Sequence, residues 1–271
     1  RFQYALHTTS IEEQPFSDRT FSRFRARLYQ HLQETGVDLL QEEMEALAEA
    51  FVRYLHINPS IKRMDSVMVS SSCKKMSRLE ILYTCLANMV KVLHQAEASQ
   101  FLTGLEHYLK DEDQNEMIYH RKNEEITSRL EQVVNEAIGL LSRLDESYSG
   151  LPEYQLLKRA IKDQTEKTEE GNIVLKDKKE ISPDSLQNPS DPDATYRSKA
   201  GKGHKGYVGN LVETFDEKGR IITSYDYQKN HHSDSSFCKE TIEKLGKQEK
   251  PMQLLADGAY ASIENMALAS E

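Results

Sequence analysis

The sequence has few cysteines and no long apolar run. Its three cysteines, Cys73, Cys85 and Cys238, form no CxxC pair in 271 residues, which argues against a disulfide framework or a zinc ribbon. No apolar stretch approaches the roughly 20 residues needed to span a bilayer, and no secretory signal pattern opens the chain. These absences predict a cytoplasmic protein that does not enter a membrane.

A phosphate loop for nucleotides is also missing. The glycine-rich stretch GKGHKG at residues 201–206 lacks the GxxxxGK(S/T) spacing and precedes a strand-like segment instead of a helix. Its flexible backbone and its cations fit contact with a DNA phosphate better.

Acidic residues outnumber basic ones, and the net charge is -9 at pH 7. This excess argues against DNA binding, because neutralising phosphates takes lysine and arginine. The basic residues are clustered, however, and a cluster can provide a positive surface on an acidic protein. Two solvated faces are the alternative interpretation. One cluster surrounds Asp65, and the other, which has no acid between its ends, contains Arg197 and the predicted DNA contacts Lys199, Lys202, His204 and Lys205.

Residues 1–58 are predicted to form an N-terminal helical region. A turn at Asp18 opens a helix whose apolar side chains recur at helical spacing and are predicted to be buried. Three arginines fall on the opposite face, as in one helix of a helix-turn-helix-like unit lying on a DNA backbone. An ordinary helical hairpin with surface arginines is the alternative. The apolar set is Phe21, Phe24, Leu28 and Leu32, and the predicted DNA contacts are Arg19, Arg23 and Arg27.

Two aspartates interrupt strand-like apolar runs. Asp65 lies inside the run at 61–69, and Asp257 lies where the run beginning at Met252 stops. Strands rarely contain aspartate, and a carboxylate shielded from water without a partner is costly. If the two strands are neighbours, the carboxylates form an oxygen-ligand site that suits Mg²⁺. Taken singly, each aspartate could instead cap the helix that follows it.

The remaining segments predict an α+β or α/β fold with a mixed sheet. The first strand is placed at 59–77, and apolar residues in steps of three and four predict a helical insertion over 78–170. A polar stretch over 171–195 is predicted to be a flexible linker. Residues 196–271 contain two strands joined by a hairpin, then a helix and the Asp257 strand, which complete the sheet.

Three segments, in this order, resemble the DDE insertion-sequence transposases of the insertion-sequence-4/5-like group. They are RMDSVMVSSSCKKMSR at 63–78, SDPDATYRSKAGKGHKGY at 190–207 and LLADGAY at 254–260. The opening at 2–28 is similar to the N-terminal region of that group. The resemblance implies an RNase H-like core in which Asp65 and Asp257 are the first two catalytic carboxylates and hold two Mg²⁺ or Mn²⁺ ions.

The same resemblance implies the reaction and the partners. The reaction is cleavage and strand transfer of phosphodiesters at the ends of a mobile element. The partners are double-stranded DNA, both the terminal inverted repeats and the target, and a second copy in an active homodimer. The implied location is the nucleoid-associated cytoplasm of a bacterium or archaeon.

The sequence departs from the family at its third carboxylate, a glutamate on a helix well downstream. Glu264 and Glu271 are the only acids after Asp257, and both come too early. We therefore expect a chain truncated at both ends that is inactive alone. The alternatives are a non-catalytic DNA-binding or oligomerising truncated transposase that acts as an inhibitor or relic, and a purely hydrolytic nuclease.

Overall fold

The computed structural model describes residues 7–10, 12–13, 16–119, 122–199, 201–247 and 251–270. Glu271 and residues 2–6 of the opening segment lie outside the described residues. The fold is mixed α/β with a mixed sheet, and among the described residues no helix has the length and apolar character that crossing a membrane requires.

Seven helices of eight or more residues are described. They are α1 (Asp18–Thr35), α2 (Leu39–Tyr54), α3 (Arg78–Gln95), α4 (Ile126–Arg143), α5 (Pro152–Gln164), α6 (Asp234–Leu245) and α7 (Ile263–Ser270). The strands are β1 (Ile61–Ser70), β2 (Thr165–Lys167), β3 (Ile173–Leu175), β4 (Thr195–Lys199), β5 (Lys202–Asp216), β6 (Gly219–Lys229) and β7 (Gln253–Leu255).

The main sheet has the order β4-β5-β1-β7, and β6 pairs with β5. β1 and β7 are parallel, whereas β4 and β5 are antiparallel. β5 and β6 form a hairpin, because only two residues separate them. β1 and β5 run in opposite directions: Lys62 contacts Thr214 near one end, and Ser71 N–H donates to the Lys205 carbonyl at the other. A second sheet pairs β2 with β3.

The chain divides into two compact units, and three of the four boundaries between them fall inside strands and the fourth inside α6. One contains residues 1–65, 210–226 and 238–271, and the other contains residues 66–209 and 227–237. This division differs from the predicted domains, which place a boundary before the first strand and another at its end. The long strands β1, β5 and β6 each supply residues to both units. Local sequence patterns cannot reveal such a division within a strand.

The first unit begins with a helical hairpin whose ends are capped. Ser17 accepts a hydrogen bond from the backbone of Thr20 at the start of α1, and Gly36 ends that helix in the left-handed conformation at φ 74°. Asp38 then caps α2. Ala48 and Val52 of α2 are buried, which leaves the rest of its apolar side chains outside the core.

The predicted burial of the α1 stripe is wrong. No side chain of α1 is buried, and Phe21 and Phe24 are 52% and 54% exposed. Leu28 and Leu32, nearest the turn into α2, are only partly buried. Helical periodicity identified this apolar face correctly but could not say what covers it.

The second unit is built around a helical core, in which apolar residues of the predicted insertion are buried together. Ser77 and Glu80 form a capping box that starts α3. Buried residues of α3, α4 and α5, including Tyr83, pack together with Tyr108 of the short turn Glu106–Leu109. Other members of this core are Leu82, Leu86, Met89, Leu93, Leu140 and Leu157.

The segment predicted as a flexible linker is packed into the second unit, which corrects that prediction. Leu186 is 1% exposed and belongs to the helical core. Its N–H donates to Asp163 at 2.8 Å, and the Asn188 side chain donates to the Lys74 carbonyl at 2.8 Å. Polar composition was misleading because these polar groups are satisfied by hydrogen bonds inside the protein.

Candidate metal centre

The two aspartate-bearing strands, β1 and β7, are parallel neighbours in the first unit. Their register pairs Ile61 with Gln253 and Arg63 with Leu255. Asp65 and Asp257 each come two residues after the last of these pairs. Because side chains alternate between faces with a period of two, both aspartates continue the face of Arg63 and Leu255.

The face that carries the two aspartates is open to solvent. Arg63, Asp65, Leu255 and Asp257 are exposed, whereas Met64 is 2% exposed and belongs to the opposite, covered face. Asp257 itself has an extended backbone, with φ -74° and ψ 172°. Asp65, inside β1, and Asp257, just past the end of β7, therefore occupy corresponding positions relative to the paired residues of the two parallel strands.

Asp257 is held in place by the turn that follows it. Its Oδ1 accepts a hydrogen bond of 2.8 Å from the Ala259 N–H and caps the short turn Gly258–Tyr260. Tyr260 anchors this turn, because its side chain is 1% exposed and its hydroxyl donates to Asn210 at 3.3 Å. Asn265 donates to the Tyr260 carbonyl at 2.9 Å. Asp257 therefore does cap the turn that follows it, as the alternative interpretation of this residue expects, and it uses one carboxylate oxygen to do so.

The two carboxylates are chemically suited to a hard divalent cation, but they are only two ligands. Carboxylate oxygens are the preferred ligands of Mg²⁺, which usually retains several waters and takes one or two protein carboxylates. Within the described residues, no group of three or more histidine, cysteine or acidic side chains is placed to hold a metal. Glu264 lies exposed in α7. The pair fits a water-rich site, and in the part of the chain that the structure describes no third carboxylate completes it.

A salt bridge and a stacked arginine lie beside Asp65. The Arg63 guanidinium pairs with Glu213 of β5 and lies 5.4 Å from the ring centroid of Phe215. Arg63 was predicted only as part of a basic cluster. Its charge is therefore already paired within the sheet, next to the position of Asp65.

Behind the sheet, Lys62 reaches into a cavity of about 760 Å³ in the first unit. Its ammonium donates to Thr214 at 2.9 Å and to Thr223 at 3.3 Å. Burial lowers the pKa of Lys62, and the charges of Glu49 and Glu45 oppose that change. Sequence reasoning missed this group, because a lysine next to an arginine before Asp65 has the pattern of a surface cation.

In the second unit, Asp191 connects the turn in which it lies to the end of β1 and to β5. Its two carboxylate oxygens accept hydrogen bonds from the hydroxyls of Ser71 and Tyr207. Burial raises the pKa of Tyr207, and the bond to Asp191 raises it further. Residues 191–193 read Asp-Pro-Asp, a turn-forming sequence, but a local pattern cannot indicate these two bonds, whose partners are 120 and 16 positions away.

The predicted DNA contacts separate into exposed and engaged side chains. Arg19, Arg23 and Arg27 are exposed on α1. Lys199 and Lys202 are exposed and face each other as the last register pair of the β4–β5 hairpin. The stretch predicted to be a flexible loop is therefore mostly strand. His204 is partly buried and pairs with Arg197 across the hairpin.

Lys205 is committed to the fold. Its ammonium donates to the Met76 carbonyl at 2.9 Å. Burial lowers the pKa of Lys205, and Lys75 lowers it further. A phosphate contact by this lysine would require breaking an internal hydrogen bond.

Comparisons with protein-family models, with curated proteins and with solved structures found no match to this chain.

Proposed function

We propose that this chain is the catalytic region of a DDE-type DNA transposase that acts on phosphodiesters at the ends of a mobile element. The observation that carries the proposal is the parallel pairing of β1 and β7, with Asp65 and Asp257 at corresponding positions of one exposed face. Two separate family-like segments bear these aspartates. A position on neighbouring parallel strands is what a shared cation would require of them.

The strand arrangement supports an RNase H-like core. In the order β6-β5-β1-β7, β1 runs against β5 and alongside β7. The resemblance implies a sheet of this kind, with the first aspartate on a central strand and the second at the end of the parallel neighbour. A helix, α6, connects β6 to β7, as a crossover connection to a strand parallel to β1 needs.

Asp65 and Asp257 would hold the divalent ions as ligands. When bound, the metal would activate water or a DNA 3′-hydroxyl and stabilise the departing oxygen. The chain contributes the position of its carboxylates: Asp257 is oriented by the Ala259 N–H, and the turn after it is fixed by buried Tyr260. Lys199 and Lys202, exposed at the hairpin end, are the cations best placed by accessibility to bind phosphate.

The second candidate is a non-catalytic DNA-binding or oligomerising relative of such enzymes. It is favoured by the absence, among the described residues, of a third acidic or histidine ligand near the aspartate pair. A relic of this type would keep the exposed arginines of α1 and lose turnover.

Metal binding tests whether Asp65 and Asp257 form a cation site. We expect millimolar Mn²⁺ or Mg²⁺ to raise the melting temperature, because the metal relieves the repulsion between two neighbouring carboxylates. Asp65→Asn and Asp257→Asn should each abolish this rise, whereas Glu264→Gln, which changes an exposed acid outside the pair, should retain it. If both asparagine variants respond to metal as the parent does, the proposed centre is wrong.

Nicking of labelled duplexes containing candidate element ends then distinguishes enzyme from relic. Metal-dependent nicking lost in Asp65→Asn supports the transposase. Metal binding and DNA binding without nicking support the non-catalytic candidate.

A further inference from the structure

The cavity that Lys62 reaches has no part in the proposed function. Its volume is about 760 Å³, and all of its lining residues belong to the first unit. They come from α2, β1, β5, β6, the loop at 56–59 and the C-terminal half of α6. Ligand pockets in proteins have volumes of about 300–1,000 Å³. The cavity is therefore large enough to hold a small organic molecule.

The Lys62 ammonium lies in this cavity without a direct acidic partner. Its two hydrogen bonds go to the hydroxyls of Thr214 and Thr223, which are neutral and whose residues are 0% and 9% exposed. Among the described residues Lys62 forms no ion pair, and Glu45 and Glu49 act on it only through their charges. An ammonium has three N–H donors, so one remains for a ligand. A cation withdrawn from water favours a counter-ion.

The other lysine and arginine of the lining are already paired. Lys244 lies 2.8 Å from Glu45, and Arg53 lies 3.8 Å from Glu49. The two remaining acids of the lining also have partners within the fold; they are Asp226 and Glu240. Lys62 is therefore the one lysine or arginine of the described lining whose charge no acidic side chain contacts.

Apolar side chains supply another part of the lining. Val52, Ile57 and Val212 line the cavity and are 7%, 4% and 4% exposed. A single unmatched cation beside such walls suits a molecule with one negative charge and an apolar body, because ligand pockets combine apolar walls with a few polar groups. A dianion would bring a second negative charge toward Glu45 and Glu49 without a second unpaired cation to meet it.

We propose that this cavity binds a small organic carboxylate with an apolar body. The carboxylate accepts a hydrogen bond from the Lys62 ammonium, and the body packs against Val52, Ile57 and Val212. The ligand thus supplies the counter-ion that the fold lacks. The inference does not rest on the proposed function, because Lys62 and Asp65 are three residues apart and point to opposite faces of β1. A metal titration and a carboxylate titration can therefore fail separately.

Isothermal titration calorimetry with two carboxylates tests the proposal. We expect 2-naphthoate and octanoate to bind the parent with dissociation constants below about 1 mM. Their neutral amides should bind more than about tenfold more weakly, since they lose a charged hydrogen bond. Inorganic phosphate should bind more weakly than either carboxylate. Absence of binding by both carboxylates at millimolar concentration, amides that bind as tightly as the acids, or tighter binding of phosphate overturns the proposal.

Removal of the ammonium tests the role of Lys62. Lys62→Met should lower carboxylate affinity to that of the amides and leave amide affinity nearly unchanged. The variant should fold, because the hydroxyls of Thr214 and Thr223 lie 3.4 Å apart and can bond each other. Its melting temperature without ligand should rise, since an unpaired cation is removed. Lys239→Met is the matched control, because Lys239 is exposed in the same unit outside the lining. A Lys62→Met chain that still prefers carboxylates contradicts the proposal.

Filling the cavity tests the location independently of charge. Thr241 lines the cavity from α6 and is half-buried, so Thr241→Trp should weaken the binding of carboxylates and amides alike. Glu243→Trp, at an exposed position of the same helix outside the lining, should bind as the parent does. Circular dichroism would establish that both variants are folded. Parent-like binding by folded Thr241→Trp would place the probes elsewhere and overturn the proposal.

Discussion

A β-carbon on Gly206 would lie 2.2 Å from the carbonyl oxygen of Val69 and 2.5 Å from the Ser71 nitrogen. Gly206 also has φ 146°, a conformation essentially restricted to glycine. Both properties arise where β5 passes the end of β1. The close approach is between backbones, so no side-chain movement could relieve it.

Gly206→Ala should therefore destabilise the second unit by about 3 kcal/mol or more, since strain and overlap add. Gly139→Ala is the matched control: Gly139 lies inside α4 with open space around it, and alanine there should stabilise by about 0.5–1 kcal/mol. Urea unfolding of both variants measures the difference. Equal stabilities would contradict the close approach.

Loss of the Asp191 charge should loosen the link between its turn and the strands. Asp191→Asn replaces an acceptor of two hydroxyl hydrogen bonds, and we expect a loss of about 1.5–3 kcal/mol. Without the carboxylate, Tyr207 should also titrate at a lower pH, visible as phenolate absorbance at alkaline pH. Asp184→Asn is the control, because the Asp184 side chain is 56% exposed and 3.9 Å from the Lys229 ammonium, and its charge is not among those that raise the pKa of Tyr207. An unchanged Tyr207 titration would disprove the role of Asp191.

Alkaline pH should unfold the second unit through its buried tyrosines. Burial raises the pKa of Tyr83 and Tyr108, and the carboxylates of Asp113 and Glu136 raise them further. Below an ordinary tyrosine pKa of about 10 their contribution is complete. Above it the unfolded chain releases protons that the folded chain keeps, so stability falls by up to about 1.4 kcal/mol per pH unit for each tyrosine.

Tyr108→Phe should make the fall above pH 10 shallower, and Tyr29→Phe, which changes an exposed side chain, should not. Urea unfolding at a series of alkaline pH values gives the slopes. Parallel slopes for the parent and Tyr108→Phe would contradict the prediction.

DNA affinity should depend on salt through the two exposed lysines of the β4–β5 hairpin. Each lost phosphate contact reduces the slope of log affinity against log salt by about 0.9. Lys199→Gln with Lys202→Gln should therefore flatten the slope by about 1.8 units. Adding Lys205→Gln should change the slope little and lower stability, because Lys205 donates to Met76. Fluorescence anisotropy across a salt series decides it, and an unchanged slope in the double variant would remove this hairpin from the DNA interface.

Sequence patterns were most informative where a local rule fixes the structure. The hairpin between β5 and β6, the capped helices and the strand around Asp65 follow from turn residues, caps and apolar runs. The neighbouring position of the Asp65 and Asp257 strands was a hypothesis from two misplaced carboxylates, and the pairing of Arg63 with Leu255 agrees with it.

Long-range relations escaped the sequence. The Phe21 face could be found by periodicity, but its exposure depends on which element lies opposite. Asn188 belongs to a polar stretch, yet it is buried, and its side chain donates a hydrogen bond to the Lys74 carbonyl. Lys205 has the sequence context of a phosphate ligand, but its ammonium donates a hydrogen bond to the Met76 carbonyl. In each case the deciding partner is distant in the chain.

The first unit is made of three separate stretches of the chain, so its strands cannot all pair until the last stretch has been synthesised. Ile61 of β1 pairs with Gln253 of β7, 192 positions later, whereas residues 66–209 of the second unit emerge in between. At about 5–20 residues per second, β1 waits roughly 10–40 s on the ribosome for that partner. During this interval the edge of β1 that later pairs with β7, at residues 61–63, is unpaired and prone to cross-chain association. We expect the yield of folded protein in cells to depend on chaperones that shield nascent chains.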